Sequence, residues 1–241
     1  MAPVRMILFD CDGTLVDSQY LITDCMGQAF SSAGFTPPER AAVRQIIGLS
    51  LSDAIYRLLQ TSNADGPAID TEQIEAIRQA YVDIFHERRS SGEISEDLFD
   101  GTRAILEWLA STDIILGVVT GKTRRGLDAV LAHHGLAGYF STLQTSDGHP
   151  SKPHPAMVQS ALIEQDVHPA QTLVVGDTTF DMVMAKAAGC RAVGVSWGYH
   201  DPIALKNAGA EQIIDQFHKL GSVAGFTVRR GEIKSVSDNS I

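Results

Sequence analysis

Cysteine is scarce in this chain, and its three copies, Cys11, Cys25 and Cys190, show no CxxC spacing. An odd, dispersed set gives no disulfide framework and suits a reducing compartment, so a cytoplasmic protein is expected. No run approaches the about 20 apolar residues of a membrane span, and MAPVRMILFD has no long apolar signal segment before its first acidic residue. Positive charge is also in short supply. With 19 lysines and arginines against 29 aspartates and glutamates, the net charge is -10 and no basic cluster interrupts it. That disfavours nucleic acid as a partner and leaves room for a local phosphate site. What is plentiful is apolar material, 44% of 241 residues, enough for a sizeable core in one domain or in one domain with an insertion.

Continuous apolar runs of strand length recur at Met6 to Phe9, Ile114 to Val119, Phe140 to Gln144, Leu173 to Val175 and Ala192 to Val195. Such runs suit strands buried on both faces, and their alternation with helix-like segments predicts a mostly parallel, doubly wound α/β sheet. Gln212 to Ile214 is a short candidate edge strand. Between Ser18 and about Asp100 the alternation stops, and the spacing predicts helices over Tyr20 to Ala33, Glu39 to Ile47, Ser52 to Gln60 and Thr71 to Arg89. In the last of these, Ile74, Ile77, Tyr81, Ile84 and Phe85 share one face, and Asp70 and Gln73 have capping-box spacing. The expected organisation is an α/β core of 1–17 and 100–225, a helical insertion of 18–99 and a polar tail of 226–241. TSNADGPAID reads as a loop between two of the inserted helices.

Ligands of open parallel sheets bind beyond the C-terminal strand ends. There the sequence turns polar in four separate loops, with Asp10, Asp12 and Gly13 in the first, Thr120 and Gly121 in the second, Lys152 in the third, and Asp177 and Asp181 in the fourth. Carboxylates are hard oxygen ligands suited to Mg²⁺, and Asp10 and Asp177 are the best candidates to hold it. With a cation present, a carboxylate can approach phosphorus without prohibitive repulsion, which would explain so much negative charge at the end of an apolar strand.

DCDGTLVDS, VVTGK, the lysine of SKPHP and GDTTFD, in that order, resemble the four motifs of the haloacid dehalogenase superfamily. The resemblance spans nearly the whole chain, with the helical insertion in the position of the family's cap. GVSWGYH followed by AGAEQIID is most similar to the phosphoglycolate phosphatase group. The resemblance implies a Rossmann-like core and a Mg²⁺-dependent phosphatase acting through an aspartyl-phosphate. Asp10 would be the nucleophile, and Asp12 would protonate the leaving oxygen and then activate water. Thr120, Gly121 and Lys152 would bind the transferring phosphoryl group, with Gly13 turning the backbone beside it. Asp10, Asp12 and Asp177 would hold Mg²⁺, and Asp181 would orient metal-bound water or Lys152 from behind. The implied partner is a small phosphorylated metabolite, such as 2-phosphoglycolate, handled by a monomer or homodimer.

Several neighbouring readings are separable by residue. Asp12 opposes a metal-free dehalogenase, and the absence of lysine from Ser18 to Asp100 opposes a phosphonate-cleaving enzyme that needs a cap lysine for an imine. A beta-phosphoglucomutase-like phosphomutase shares every core motif and remains open. A receiver-type signalling domain has its phosphoacceptor on a later strand and no large insertion. His149 and His154 around Lys152 read as loop residues, Cys11 as a small core side chain, and WGYH as loop packing with Tyr199 or His200 within reach of the site. The segment Ile46 to Asp53 is expected to face the core and affect substrate choice, with Gly48 and Ser50 inside it and Arg44 and Arg57 as candidate partners of a substrate carboxylate.

Overall fold

The structure is a computed structural model that describes residues 3–62, 68–91 and 96–225. Its centre is a six-stranded, all-parallel sheet in the order β5-β4-β1-β6-β7-β8. The strands are β1 (Met6–Phe9), β4 (Ile115–Thr120), β5 (Thr142–Thr145), β6 (Thr172–Gly176), β7 (Arg191–Val195) and β8 (Gln212–Ile214). The chain starts in the middle at β1, winds outward through β4 and β5, then crosses back to β6. That reversal leaves a crevice beyond the C-terminal ends of β1, β4 and β6.

Both faces of the sheet are covered, which explains why its strands read as unbroken apolar runs. Along β1 the side chains alternate: Ile7 and Phe9 join one apolar layer and Met6 and Leu8 the other. The first layer is closed by α5 (Thr102–Ala110), α6 (Arg124–His133) and α10 (Lys219–Val223), and the second by α7 (Ala156–Gln165), α8 (Thr179–Ala187) and α9 (Pro202–Asn207). Phe140, expected at the head of a strand, lies before β5, after a short 3-10 turn at Ala137–Tyr139. Its ring packs against the first layer instead.

Four helices follow β1: α1 (Gln19–Ser32), α2 (Arg40–Ile46), α3 (Leu51–Ser62) and α4 (Thr71–Ser91). They bury their own cluster, built on Met26, Phe30, Ile55, Leu58 and Ile77. The start of α4 carries the expected reciprocal cap, with Asp70 N–H donating to Gln73 Oε1 at 3.0 Å and Glu72 N–H donating to Asp70 Oδ1 at 3.1 Å. Ile74, Ile77, Tyr81 and Ile84 pack into that cluster, whereas Phe85 lies beside Lys122 and Arg89.

Two very short strands, β2 (Val16–Asp17) and β3 (Asp97–Leu98), pair antiparallel where the chain leaves for the helices and where it returns. Their register, Val16 opposite Leu98 and Asp17 opposite Asp97, holds the two crossings side by side. The centre of TSNADGPAID, at 63–67, and the polar tail of 226–241 lie outside the described residues. Among those described, no helix is long and apolar enough to cross a membrane.

Candidate active site

The sheet brings all four polar loops to one place. Asp10 ends β1 fully buried, with its N–H donating to Val175 O at 2.9 Å. The loop after it folds tightly, because Cys11 O accepts from both Leu15 N–H (2.8 Å) and Val16 N–H (3.1 Å). Gly13 stands at φ +82°, and a Cβ there would lie 2.2 Å from Asp177 Oδ2. Glycine is needed here for both conformation and space.

Lys152 connects two of the carboxylates. Its Nζ, entirely buried, lies 2.8 Å from Asp10 Oδ1 and 2.6 Å from Asp181 Oδ1. Burial alone would pull the ammonium's pKa down; Asp10 and Asp181 reverse that and hold it above its ordinary value. Asp181 is also the N3 residue of the α8 capping box, accepting at Oδ2 from Thr178 N–H (3.0 Å) and Thr178 Oγ1 (2.7 Å). Asp177 accepts from Thr14 Oγ1 (3.0 Å) and from Tyr199 N–H (2.9 Å).

Asp10, Asp177 and Asp181 each offer a carboxylate oxygen within 4.8 Å of the others. Neither oxygen of Asp10 accepts a hydrogen bond of good geometry; Oδ1 has the ion-pair contact with Lys152, and Oδ2 has no partner among the described residues. Burial, partly opposed by Lys152, pushes Asp10 up to about 7. Burial, reinforced by Asp10 and Asp181, raises Asp177 well above the carboxylate range. One ammonium therefore leaves the three carboxylates short of positive charge. An all-oxygen donor set with an orphaned carboxylate oxygen fits a hard divalent cation such as Mg²⁺.

Asp12 faces elsewhere, and its carboxylate is not part of that group. Its Oδ1 accepts a short hydrogen bond from Ser18 Oγ and lies 2.8 Å from Lys122 Nζ. Lys122 reaches on to Glu96 Oε1 at 3.4 Å, and Glu96 pairs in turn with Arg89 on α4. Ser18 and Glu96 stand on the outgoing and returning crossings between sheet and helices, so both crossings are tied to Asp12. Ser18 N–H also donates to Tyr199 Oη at 3.1 Å. Sequence reasoning passed over Lys122, Glu96 and Ser18; the lysine directly after Thr120 and Gly121 was the one available signal.

Thr120, buried at the end of β4, accepts from Lys122 N–H at 3.2 Å. A Cβ on Gly121 would lie 2.4 Å from Leu49 O and 2.5 Å from Gly48 O, so the break between α2 and α3 rests on the Thr120–Gly121 turn. The break is held there by Ser50 N–H donating to Ser151 Oγ (2.8 Å) and by His200 Nε2, 3.1 Å from Gln45 O. Ile46 to Asp53 thus faces the core, as expected. Arg44 donates to Gly198 O at 2.9 Å, and Arg57 lies over the Phe180 ring at 5.3 Å. His149 bonds Gln144 at 2.9 Å and His154 accepts from Ala156 N–H at 3.2 Å, away from the carboxylates. Cys11 is a buried side chain of the first apolar layer, and burial pushes its thiol well up.

A family model described as haloacid dehalogenase-like hydrolase matches residues 7–195, from β1 through β7. The chain belongs to this family. It is 34% identical over 224 residues to the probable phosphatase IndB of Dickeya dadantii, covering 91% of this chain and 93% of the relative. It is 30% identical over 221 residues to the phosphoglycolate phosphatase of Vibrio cholerae, covering 91% and 96%. Among solved structures, a predicted phosphoglycolate phosphatase of Haemophilus somnus superposes with a TM-score of 0.78 at 24% identity, covering 92% of this chain and 99% of that one. A Bacteroides vulgatus structure that carries the beta-phosphoglucomutase name superposes at 0.77 and 22% identity, covering 92% and 88%. At such identities the likeness is one of fold.

Proposed function

We propose that the protein is a phosphatase that hydrolyses a small phosphate monoester through a phosphoryl group carried transiently on Asp10. The observation behind this reading is that two neighbouring carboxylates have opposite surroundings. Asp10 keeps an unpartnered oxygen inside a carboxylate cluster, while Asp12, two residues on, is held by Lys122 and Ser18. The first suits a nucleophile and the second a positioned proton carrier.

In the first step Asp10 Oδ bonds to phosphorus as the bond from phosphorus to the alcohol oxygen breaks, and Asp12 gives that oxygen its proton. In the second, Asp12 takes a proton from water, the water oxygen bonds to phosphorus, and inorganic phosphate leaves with Asp10 restored. The Thr120 hydroxyl, the Gly121 N–H and the Lys152 ammonium bind the phosphoryl oxygens. These donors are fixed in place before reaction, which is what makes them effective for charge that develops in the transition state. Asp10 and Asp177 would hold Mg²⁺, with Asp181 steadying Lys152 beside them; the ion supplies positive charge that lets two anions meet. Asp12, also expected in the metal set, has its carboxylate on Lys122 and outside the group of Asp10, Asp177 and Asp181.

Residues 18–99 act as a cap over a core of 1–17 and 100–225, with the Ile46 to Asp53 break resting on Gly121 and Ser151. The relatives named phosphoglycolate phosphatase make 2-phosphoglycolate the reference ester. The test is a panel of small phosphate monoesters with Mg²⁺, assayed for released phosphate and for rearranged ester. Phosphate release supports the reading, isomerised product would make the enzyme a mutase, and inertness toward every ester would overturn both.

A further inference from the structure

Beside Asp12, between the cap and the core, lies a cleft of about 580 Å³ that is partly open to solvent. Asp12, Gly121 and Lys122 contribute to its wall, so it is continuous with the proton-transfer end of the site. Its size lies within the range of about 300–1,000 Å³ that holds ligands of many heavy atoms, far beyond the two carbons of glycolate.

The lining is mainly apolar. Met26 and Leu51 come from α1 and α3, and Tyr81, Val82 and Phe85 come from one face of α4. The Tyr81 and Phe85 rings stack at 5.7 Å with 30° between their planes, so an aromatic pair forms part of the wall. Lys122 Nζ lies 5.7 Å from the Phe85 centroid, which links that wall to the partner of Asp12.

The cations along the cavity already have counter-charges. Lys122 faces Asp12 and Glu96, Arg89 pairs with Glu96, and Arg78 pairs with Glu75 at 2.5 Å. Arg125, at the start of α6, is exposed to solvent. The two arginines first considered as carboxylate partners, Arg44 and Arg57, do not line this cavity. A two-carbon anionic leaving group would meet cations that, Arg125 apart, already have counter-charges, and would leave the apolar wall unfilled, whereas a flat apolar one would fill it.

We propose that this cavity is the leaving-group pocket, and that it selects phosphate monoesters whose alcohol carries an apolar, preferably aromatic, body. The inference rests on the phosphatase reading and names the substrate class of that same site. 2-Phosphoglycolate is then a poor substrate, bound through its phosphoryl group alone. Each methylene-sized increment filling an apolar pocket is worth about tenfold or more in specificity constant, so the preference is large enough to measure.

The experiment compares kcat/KM of the Mg²⁺-loaded full chain for benzyl phosphate and 2-phosphoglycolate, both esters of aliphatic alcohols. The expected result is a benzyl preference of about tenfold or more. Phe85→Ala removes part of the aromatic wall and Val82→Phe fills the space, and each should lower the benzyl-to-glycolate ratio by about tenfold. Using the ratio cancels any shared effect on Asp12 chemistry. If neither ester is hydrolysed, the pocket assignment is wrong, and the phosphatase reading falls with it only if every ester of the wider panel is inert as well. If both are hydrolysed and 2-phosphoglycolate is preferred, or if the ratio is unchanged in both variants, the pocket assignment alone is wrong. Should the variants fail to fold, the wild-type ratio still decides.

Discussion

Lys122 Nζ lies 2.8 Å from Asp12 Oδ1, in a pair that is about nine-tenths buried on both sides. Burial pulls the lysine toward neutrality, but Asp12 and Glu96 overcome it and raise its pKa well above the ordinary value, so it stays an ammonium. The cation fixes where the Asp12 carboxylate points and couples it to Glu96 at the return crossing. In the proposed mechanism, Lys122 is therefore a positioning residue for Asp12 as proton carrier.

Lys122→Met should lower kcat by about 10²-fold, within the range of general acid–base contributions. Because it leaves two buried carboxylates without their shared cation, it should also destabilise the fold by about 3–5 kcal/mol. Lys122→Arg should recover part of both. Steady-state kinetics and chemical denaturation measure the two effects; unchanged kcat in the methionine variant would show that Asp12 needs no such anchor.

Gly121→Ala places a methyl group 2.4 Å from Leu49 O and 2.5 Å from Gly48 O. Both neighbours are backbone, so the cap break must move off the core. Misplacement on the scale of 1 Å can cost about 10²-fold in rate, and kcat/KM should fall by that order. The melting temperature should change little, since the clash is relieved by parting the two units rather than by unfolding either. Kinetics at wild-type level would mean that the break does not rest on the turn during turnover.

The carboxylate cluster also sets a pH dependence. In the metal-free folded protein Asp10 keeps its proton up to about 7, whereas unfolding returns it to 3.8. The folded state thus binds more protons, and this stabilising contribution is complete below 3.8 and is lost as pH rises through about 7. Asp177, raised in the same direction, acts in the same sense. Mg²⁺ needs the deprotonated carboxylates and offsets the loss. The gap in melting temperature between Mg²⁺ and chelator should therefore widen from about pH 5 to about pH 8, and Asp10→Asn should flatten it. A gap that narrows with rising pH would contradict the assignment of these residues to a cation site.

The parallel sheet was legible because each central strand is covered on both faces and so reads as an unbroken apolar run, as in Leu173 to Val175. The inserted helices were legible from spacing and from the Asp70–Gln73 cap. The convergence of Asp10, Lys152, Asp177 and Asp181 followed from strand ends alone, since topology places such ends together. β2 and β3 were not visible, because two residues per strand carry no periodicity and only their mutual pairing defines them. Glu96 and Ser18 looked like ordinary polar residues. Their importance comes from contact with Lys122 and Asp12 across the crossings, which no local pattern reports.

The most direct test of the account is to find the phosphoryl group on the protein. The Mg²⁺-loaded enzyme is mixed with excess phosphate ester, quenched in acid within the first turnover, digested and analysed by mass spectrometry. The account predicts one added phosphoryl group on the peptide that contains Asp10, lost on mild base or hydroxylamine treatment. It predicts none in Asp10→Asn, which should fold normally and release no phosphate. A phosphoryl group on another residue, or wild-type turnover by Asp10→Asn, would contradict it.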